Sequence, residues 1–104
     1  MAEYVKVASV TDLAPGEITL VEVDGEPICL VNVDGTFYAI ADECTHGGGA
    51  LSEGELEGYA ITCPVHFGQF DLRTGKVLQL PPREDATTYE VKVEGQDVLI
   101  AKPS

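Results

Sequence analysis

Short apolar runs alternate with turn dipeptides along most of the chain. ITLVEV (18–23), PICLVNV (27–33) and TFYAIA (36–41) are separated by Asp24-Gly25 and Asp34-Gly35. Asp-Gly suits a type I′ hairpin turn, in which both central residues take positive φ. The spacing predicts an antiparallel meander. Tyr89, Val91 and Val93 alternate with Glu90, Lys92 and Glu94, the period-two mark of a half-buried strand. A turn at Glu94-Gly95 then leads into DVLIA (97–101). Residues 9–13 have room for a single helical turn, stopped by Pro15-Gly16. No 3.6-residue apolar period lasts a dozen residues, so the expectation is all-β: a small antiparallel sandwich or barrel. At 104 residues it forms one domain, 1–104.

Residues 44–84 interrupt the strand pattern. They hold Cys44, Cys63, both histidines, the run Gly47-Gly48-Gly49 and Pro81-Pro82. A 41-residue stretch of this kind inside a meander marks a candidate site. Its core is Cys44-Thr45-His46 and, after sixteen intervening residues, Cys63-Pro64-Val65-His66. Two thiolates and two imidazoles make a four-ligand metal set. One reading is structural zinc, which usually draws cysteines in one pair and histidines in another. The other is a [2Fe–2S] cluster in which two His replace two Cys on one iron. Here each half supplies one Cys and one His, which suits two irons, each taking one kind of ligand from both segments. Zinc stays open as the alternative, and its sample would be colourless. Cys29, in PICLVNV, reads as a buried core thiol.

The ligand spacing, LSEGELEG (51–58), Gly68-Gln69-Phe70-Asp71 and the Pro81-Pro82 segment together resemble Rieske-type ferredoxins. The resemblance is to the small ferredoxins of bacterial aromatic-ring-hydroxylating dioxygenase systems, and it covers essentially the whole chain. It implies a Rieske-type antiparallel β-sandwich with a small cluster-binding subdomain at about 43–84. It implies Cys44 and Cys63 on the inner iron, and His46 and His66 on the outer iron, the one reduced. The chain would be no enzyme but a one-electron carrier between an NAD(P)H-dependent flavoprotein reductase and a terminal oxygenase with its own Rieske centre. Two other circuits stay open: a di-iron aromatic monooxygenase, and a nitrite-reductase-like complex in which the chain is a small subunit.

Two departures from respiratory Rieske proteins bear on the potential. Gly49 and Val65 stand where those proteins carry a bracing disulfide. Gly68 and Phe70 stand where they carry a Ser and a Tyr that donate hydrogen bonds to cluster sulfurs. Such bonds favour the reduced state. The expected potential is therefore near the low end of the Rieske range, about −150 mV rather than about +300 mV.

Charge narrows the partners. The chain has 18 acids against 6 bases, and 13 of the acids with one base fall in residues 1–72. Such a surface repels nucleic acid and anionic lipid and favours a basic protein. Glu53, Glu55 and Glu57 alternate without a base between them. With Glu43, Phe67 and Pro81 they are the candidate docking residues, although a solvated acidic face is the plainer reading. MAEYVKV does not read as a signal peptide, and no apolar run approaches a membrane span. A soluble, cytoplasmic monomer is expected. No G-x-G-x-x-G follows a strand, and both histidines are already used. The chain should neither oxidise NADH nor activate oxygen itself.

Overall fold

The computed structural model describes residues 3–43, 49–65, 67–80 and 84–101. Eleven strands lie among them: β1 (Tyr4–Ser9), β2 (Ile18–Val23), β3 (Glu26–Val33), β4 (Thr36–Ala41), β5 (Glu55–Glu57), β6 (Ala60–Thr62), β7 (Gln69–Asp71), β8 (Val77–Gln79), β9 (Thr88–Tyr89), β10 (Val91–Glu94) and β11 (Asp97–Ala101). They form three antiparallel sheets, ordered β1-β11-β10, β2-β3-β4-β9 and β5-β6-β7-β8. Two single 3-10 turns, Val10–Asp12 and Leu51–Glu53, complete the described elements.

Both expected Asp-Gly turns form. Asp24 and Gly25 have φ of 53° and 81°, and Asp34 and Gly35 have 51° and 93°. The register confirms two-residue loops, with Val23 opposite Glu26 and Val33 opposite Thr36. At the last hairpin the loop is Gly95-Gln96, one residue later than expected, because Glu94 pairs with Asp97. Gly95 takes the positive φ, 60°, that the first position of a type II′ turn requires.

The middle sheet is packed on both faces. Ile28 and Leu30 of β3 join one core with Leu13, Val98 and Ile100. Cys29 and Val31, pointing the other way, join a second core with Leu51, Ile61, Cys63, Phe70 and Leu72. That is why PICLVNV is a continuous apolar run rather than an alternating one. The second core attaches the β5–β8 sheet to the body. Tyr38 and Tyr59 seal that seam edge to face, 5.8 Å between centroids. Arg73 lies 4.3 Å over the Tyr59 ring and grips both oxygens of Asp71 at 3.1 Å.

Buried Asn32 ties the meander together. Its Nδ2 donates to the Leu13 carbonyl at 2.8 Å, and its Oδ1 accepts from Gly35 N–H at 2.7 Å. One expectation fails at the C-terminal strand. Residues 88–94 do not form a single strand: β9 pairs with β4, and β10 pairs with β11 in a different sheet. Tyr89 and Val91 are half-buried, but Val93 is exposed, beside the final turn on an edge strand. Among the described residues no helix is long and apolar enough to cross a membrane.

Candidate metal centre

β4 ends at Ala41, and the next residue, Asp42, is buried. Its N–H donates to the Pro27 carbonyl at 3.2 Å, and its carbonyl accepts from Leu51 N–H at 2.7 Å. Its Oδ1 accepts from Ser52 N–H, also at 2.7 Å. Glu43 pairs with Ala50 in an antiparallel bridge. The chain therefore leaves and re-enters the body at one place, with 44–49 between. Cys44, His46, Gly47 and Gly48 lie outside the described residues.

The second half of the motif follows the β5–β6 hairpin. Gly54 permits the approach, because a Cβ there would run into the Thr62 carbonyl. Cys63 is fully buried and free of any disulfide. Its N–H donates to the Gly68 carbonyl at 2.8 Å, and its carbonyl accepts from Phe67 N–H at 3.0 Å. The chain thus reverses over six residues before β7. Phe67 carries the strain of that reversal, with φ 62° and a side chain 65% exposed. Its carbonyl accepts from Gln79 Nε2 at 3.1 Å, which ties the reversal to β8. His66 and Pro81 lie outside the described residues.

The two halves meet through Gly49 and Cys63. A Cβ built on Gly49 would lie 2.6 Å from Cys63 Sγ and 3.6 Å from Val65 Cβ. This is a close-packed cradle around a buried thiol, open only because residue 49 has no side chain. A soft sulfur donor in such a cradle fits a cluster bound by thiolate. Among the described residues no group of three metal-ligating side chains occurs, since three of the four candidates lie outside them. Cys29 is a different kind of thiol. Burial, and after it the Asp42 carboxylate, push it up to about 12. It stays protonated at neutral pH, as the core reading expects.

Beside Cys63 opens a cleft of about 230 Å³, lined by Glu53, Gly54, Glu55, Thr62, Cys63, Pro64 and Phe67. Three candidate docking residues, Glu53, Glu55 and Phe67, therefore share one surface next to the thiol. Glu43 is exposed but does not line it, and neither does Glu57. No ion pair among the described residues involves Glu43, Glu53, Glu55 or Glu57. Leu78 and Leu80 are exposed, at 53% and 67%, on and just after β8, the strand that holds Phe67. Neither was singled out by the sequence pattern.

Residues 3–92 match the profile of the Rieske [2Fe-2S] domain. The chain belongs to the Rieske [2Fe–2S] ferredoxins. It is 44% identical over 98 residues to the biphenyl dioxygenase ferredoxin subunit of Pseudomonas sp. (strain KKS102), covering 93% of this chain and 90% of that one. The carbazole 1,9a-dioxygenase ferredoxin from Nocardioides aromaticivorans IC177 superposes with a TM-score of 0.93 at 35% identity, over 96% and 98% of the two chains. The complex of reduced oxygenase and oxidized ferredoxin in carbazole 1,9a-dioxygenase matches with a TM-score of 0.90 at 38% identity, over 94% of this chain and 92% of that one. The Rieske assignment establishes the cofactor as a [2Fe–2S] cluster rather than zinc. Gly68 and Phe70 are placed by Cys63: the Gly68 carbonyl accepts from the Cys63 N–H, and Phe70 is fully buried in the same core as Cys63.

Proposed function

We propose that this Rieske ferredoxin is the electron carrier of a multicomponent aromatic-ring dioxygenase. It accepts one electron at a time from an NAD(P)H-dependent flavoprotein reductase. It delivers each to the Rieske centre of the terminal oxygenase. Cys44 and Cys63 hold the inner iron, and His46 and His66 the outer one. The cluster sits in a subdomain at about 43–84 of a single domain, 1–104, and the protein is a cytoplasmic monomer.

The observation that carries this reading is the cradle of Gly49 around the buried, unpaired Cys63 thiol, next to a cleft lined by two carboxylates and Phe67. A cluster there lies near the surface. Phe67, Leu78 and Leu80 supply exposed apolar area, and Glu53 and Glu55 supply an acidic rim. Glu43, and Pro81 outside the described residues, are further docking residues in this reading. A small apolar patch with a charged rim suits a transient electron-transfer encounter steered by a basic partner. The relative seen in complex with an oxygenase supports the same pairing.

The test is substitution of each proposed ligand, followed by visible absorption and EPR of the reduced protein. Cys44→Ala, Cys63→Ala, His46→Ala and His66→Ala should each abolish the rhombic Rieske signal and electron transfer to an aromatic-ring oxygenase. Retention of the wild-type signal by any one variant would remove that residue from the ligand set.

A further inference from the structure

We propose that Asp42 is a positioning residue for the first ligand segment: its buried carboxylate fixes where residues 44–49 depart and return. The inference rests on the reading of Cys44 and His46 as ligands. Asp42 is 6% exposed, in a chain with few buried polar side chains among its described residues. Burying a carboxylate is costly unless hydrogen bonds compensate it. Here Oδ1 makes one such bond, and the backbone of the same residue makes two more, so that Asp42 ties the start of β3 to the Leu51–Glu53 turn. Its N–H holds the start of β3 through Pro27, its carbonyl holds Leu51, and its Oδ1 holds Ser52.

The Ser52 bond is the one that only a side-chain acceptor can make. Ser52 is the second residue of a 3-10 turn, whose first N–H groups have no partner within the turn. The carboxylate supplies one across a span of ten residues. Leu51, in the same turn, is fully buried in the core that contains Cys63. The returning end of the first segment is thereby fixed relative to the second, and Gly49 reaches Cys63. The exposed neighbour, Glu43, contributes only its backbone to the bridge with Ala50.

The experiment compares holoprotein carrying Asp42→Ala or Asp42→Asn with wild type. Its readouts are iron release to a strong chelator and the EPR g-values of the reduced cluster. Asp42→Ala should release iron at least about tenfold faster with shifted g-values, the scale expected for losing a hydrogen bond to a charged acceptor. Asp42→Asn keeps an oxygen acceptor, and should stay within about twofold of wild type with its g-values unchanged. Wild-type behaviour of Asp42→Ala would overturn the proposal, and so would an Asp42→Asn variant as fast as alanine. Should Asp42→Ala not fold, Ser52→Pro removes the donor and leaves the carboxylate. Tenfold faster release then supports the role, and an unchanged rate overturns it. Failure of the ligand assignment shows separately, as a Cys44→Ala protein that keeps its cluster.

Discussion

Gly49 and Cys63, fourteen positions apart, are packed so tightly that a single methyl group on Gly49 would come within 2.6 Å of the Cys63 sulfur. Neither neighbour can yield cheaply. Cys63 is fixed by two backbone hydrogen bonds, and Val65 would lie 3.2 Å away from the same methyl. Overpacking of this kind costs about 1–3 kcal/mol. Gly49→Ala should therefore lower the iron content of purified protein and speed cluster loss on dilution. Gly58→Ala, which meets open space but is strained by its positive φ of 59°, is the control for destabilisation without a clash. Equal iron content in the two variants would mean that the close contact does not constrain the cluster.

Asn32 should be the most sensitive polar residue for folding. Asn32→Leu leaves the Leu13 carbonyl and the Gly35 N–H without their side-chain partner. Each orphaned group costs about 1–3 kcal/mol. The denaturant midpoint should fall markedly with little change in slope, while the EPR g-values of the protein that remains folded stay as in wild type. A midpoint within error of wild type would show that water replaces both partners.

Cys29 should be inert in the native state. Its thiol is buried and pushed up to about 12. The thiolate, the reactive form, is therefore negligible at pH 8. Because the folded value is raised, the stability it contributes is complete below the ordinary thiol range and is lost as pH rises toward about 12. Alkylation of native holoprotein at pH 8 should leave Cys29 unmodified, and denaturant should expose it within minutes. Rapid native labelling would place Cys29 in a mobile part of the core.

The hairpins and the metal motif were legible in the sequence because each is carried by local chemistry. Asp-Gly at 24–25 and 34–35 demands positive φ, and both turns take it. The four Cys and His residues stand in a spacing that few other sites use. Asp42 was not legible, since in sequence it is one more acid beside Glu43; only the fold buries one and exposes the other. The split of 88–94 was hidden for a similar reason. A period-two pattern identifies a strand but not which sheet each half joins, and β9 and β10 join different ones. Nor does a pattern reveal that PICLVNV serves two cores, which depends on the third sheet packing behind it.

The midpoint potential should lie near the low end of the Rieske range, about −150 mV rather than about +300 mV. Neither Gly68 nor Phe70 has a hydroxyl to donate to a cluster sulfur, and Phe70 is held by complete burial. Voltammetry at neutral pH gives the value directly. A high positive potential would show that other donors, such as backbone N–H groups, compensate the sulfurs, and would place the carrier in a different redox circuit.

Docking is the prediction that separates a functional acidic rim from a merely solvated one. Glu53 and Glu55 flank the cleft beside Cys63, and no ion pair among the described residues occupies them. If they steer a basic oxygenase, Glu55→Lys should slow electron transfer at low salt by about tenfold or more, and the difference should shrink near 0.15 M salt, where the Debye length is about 8 Å. Glu22→Lys, at an exposed position on β2, makes the same change in net charge outside the cleft and should have a smaller effect. Phe67→Ala should behave differently. It removes exposed apolar area and, still carrying a Cβ, leaves the positive φ as it was, so its slowing should persist at high salt. Equal effects of Glu55→Lys and Glu22→Lys would reduce the rim to a contribution to overall charge. The apolar surface around Phe67 would then be the remaining determinant of where the partner sits.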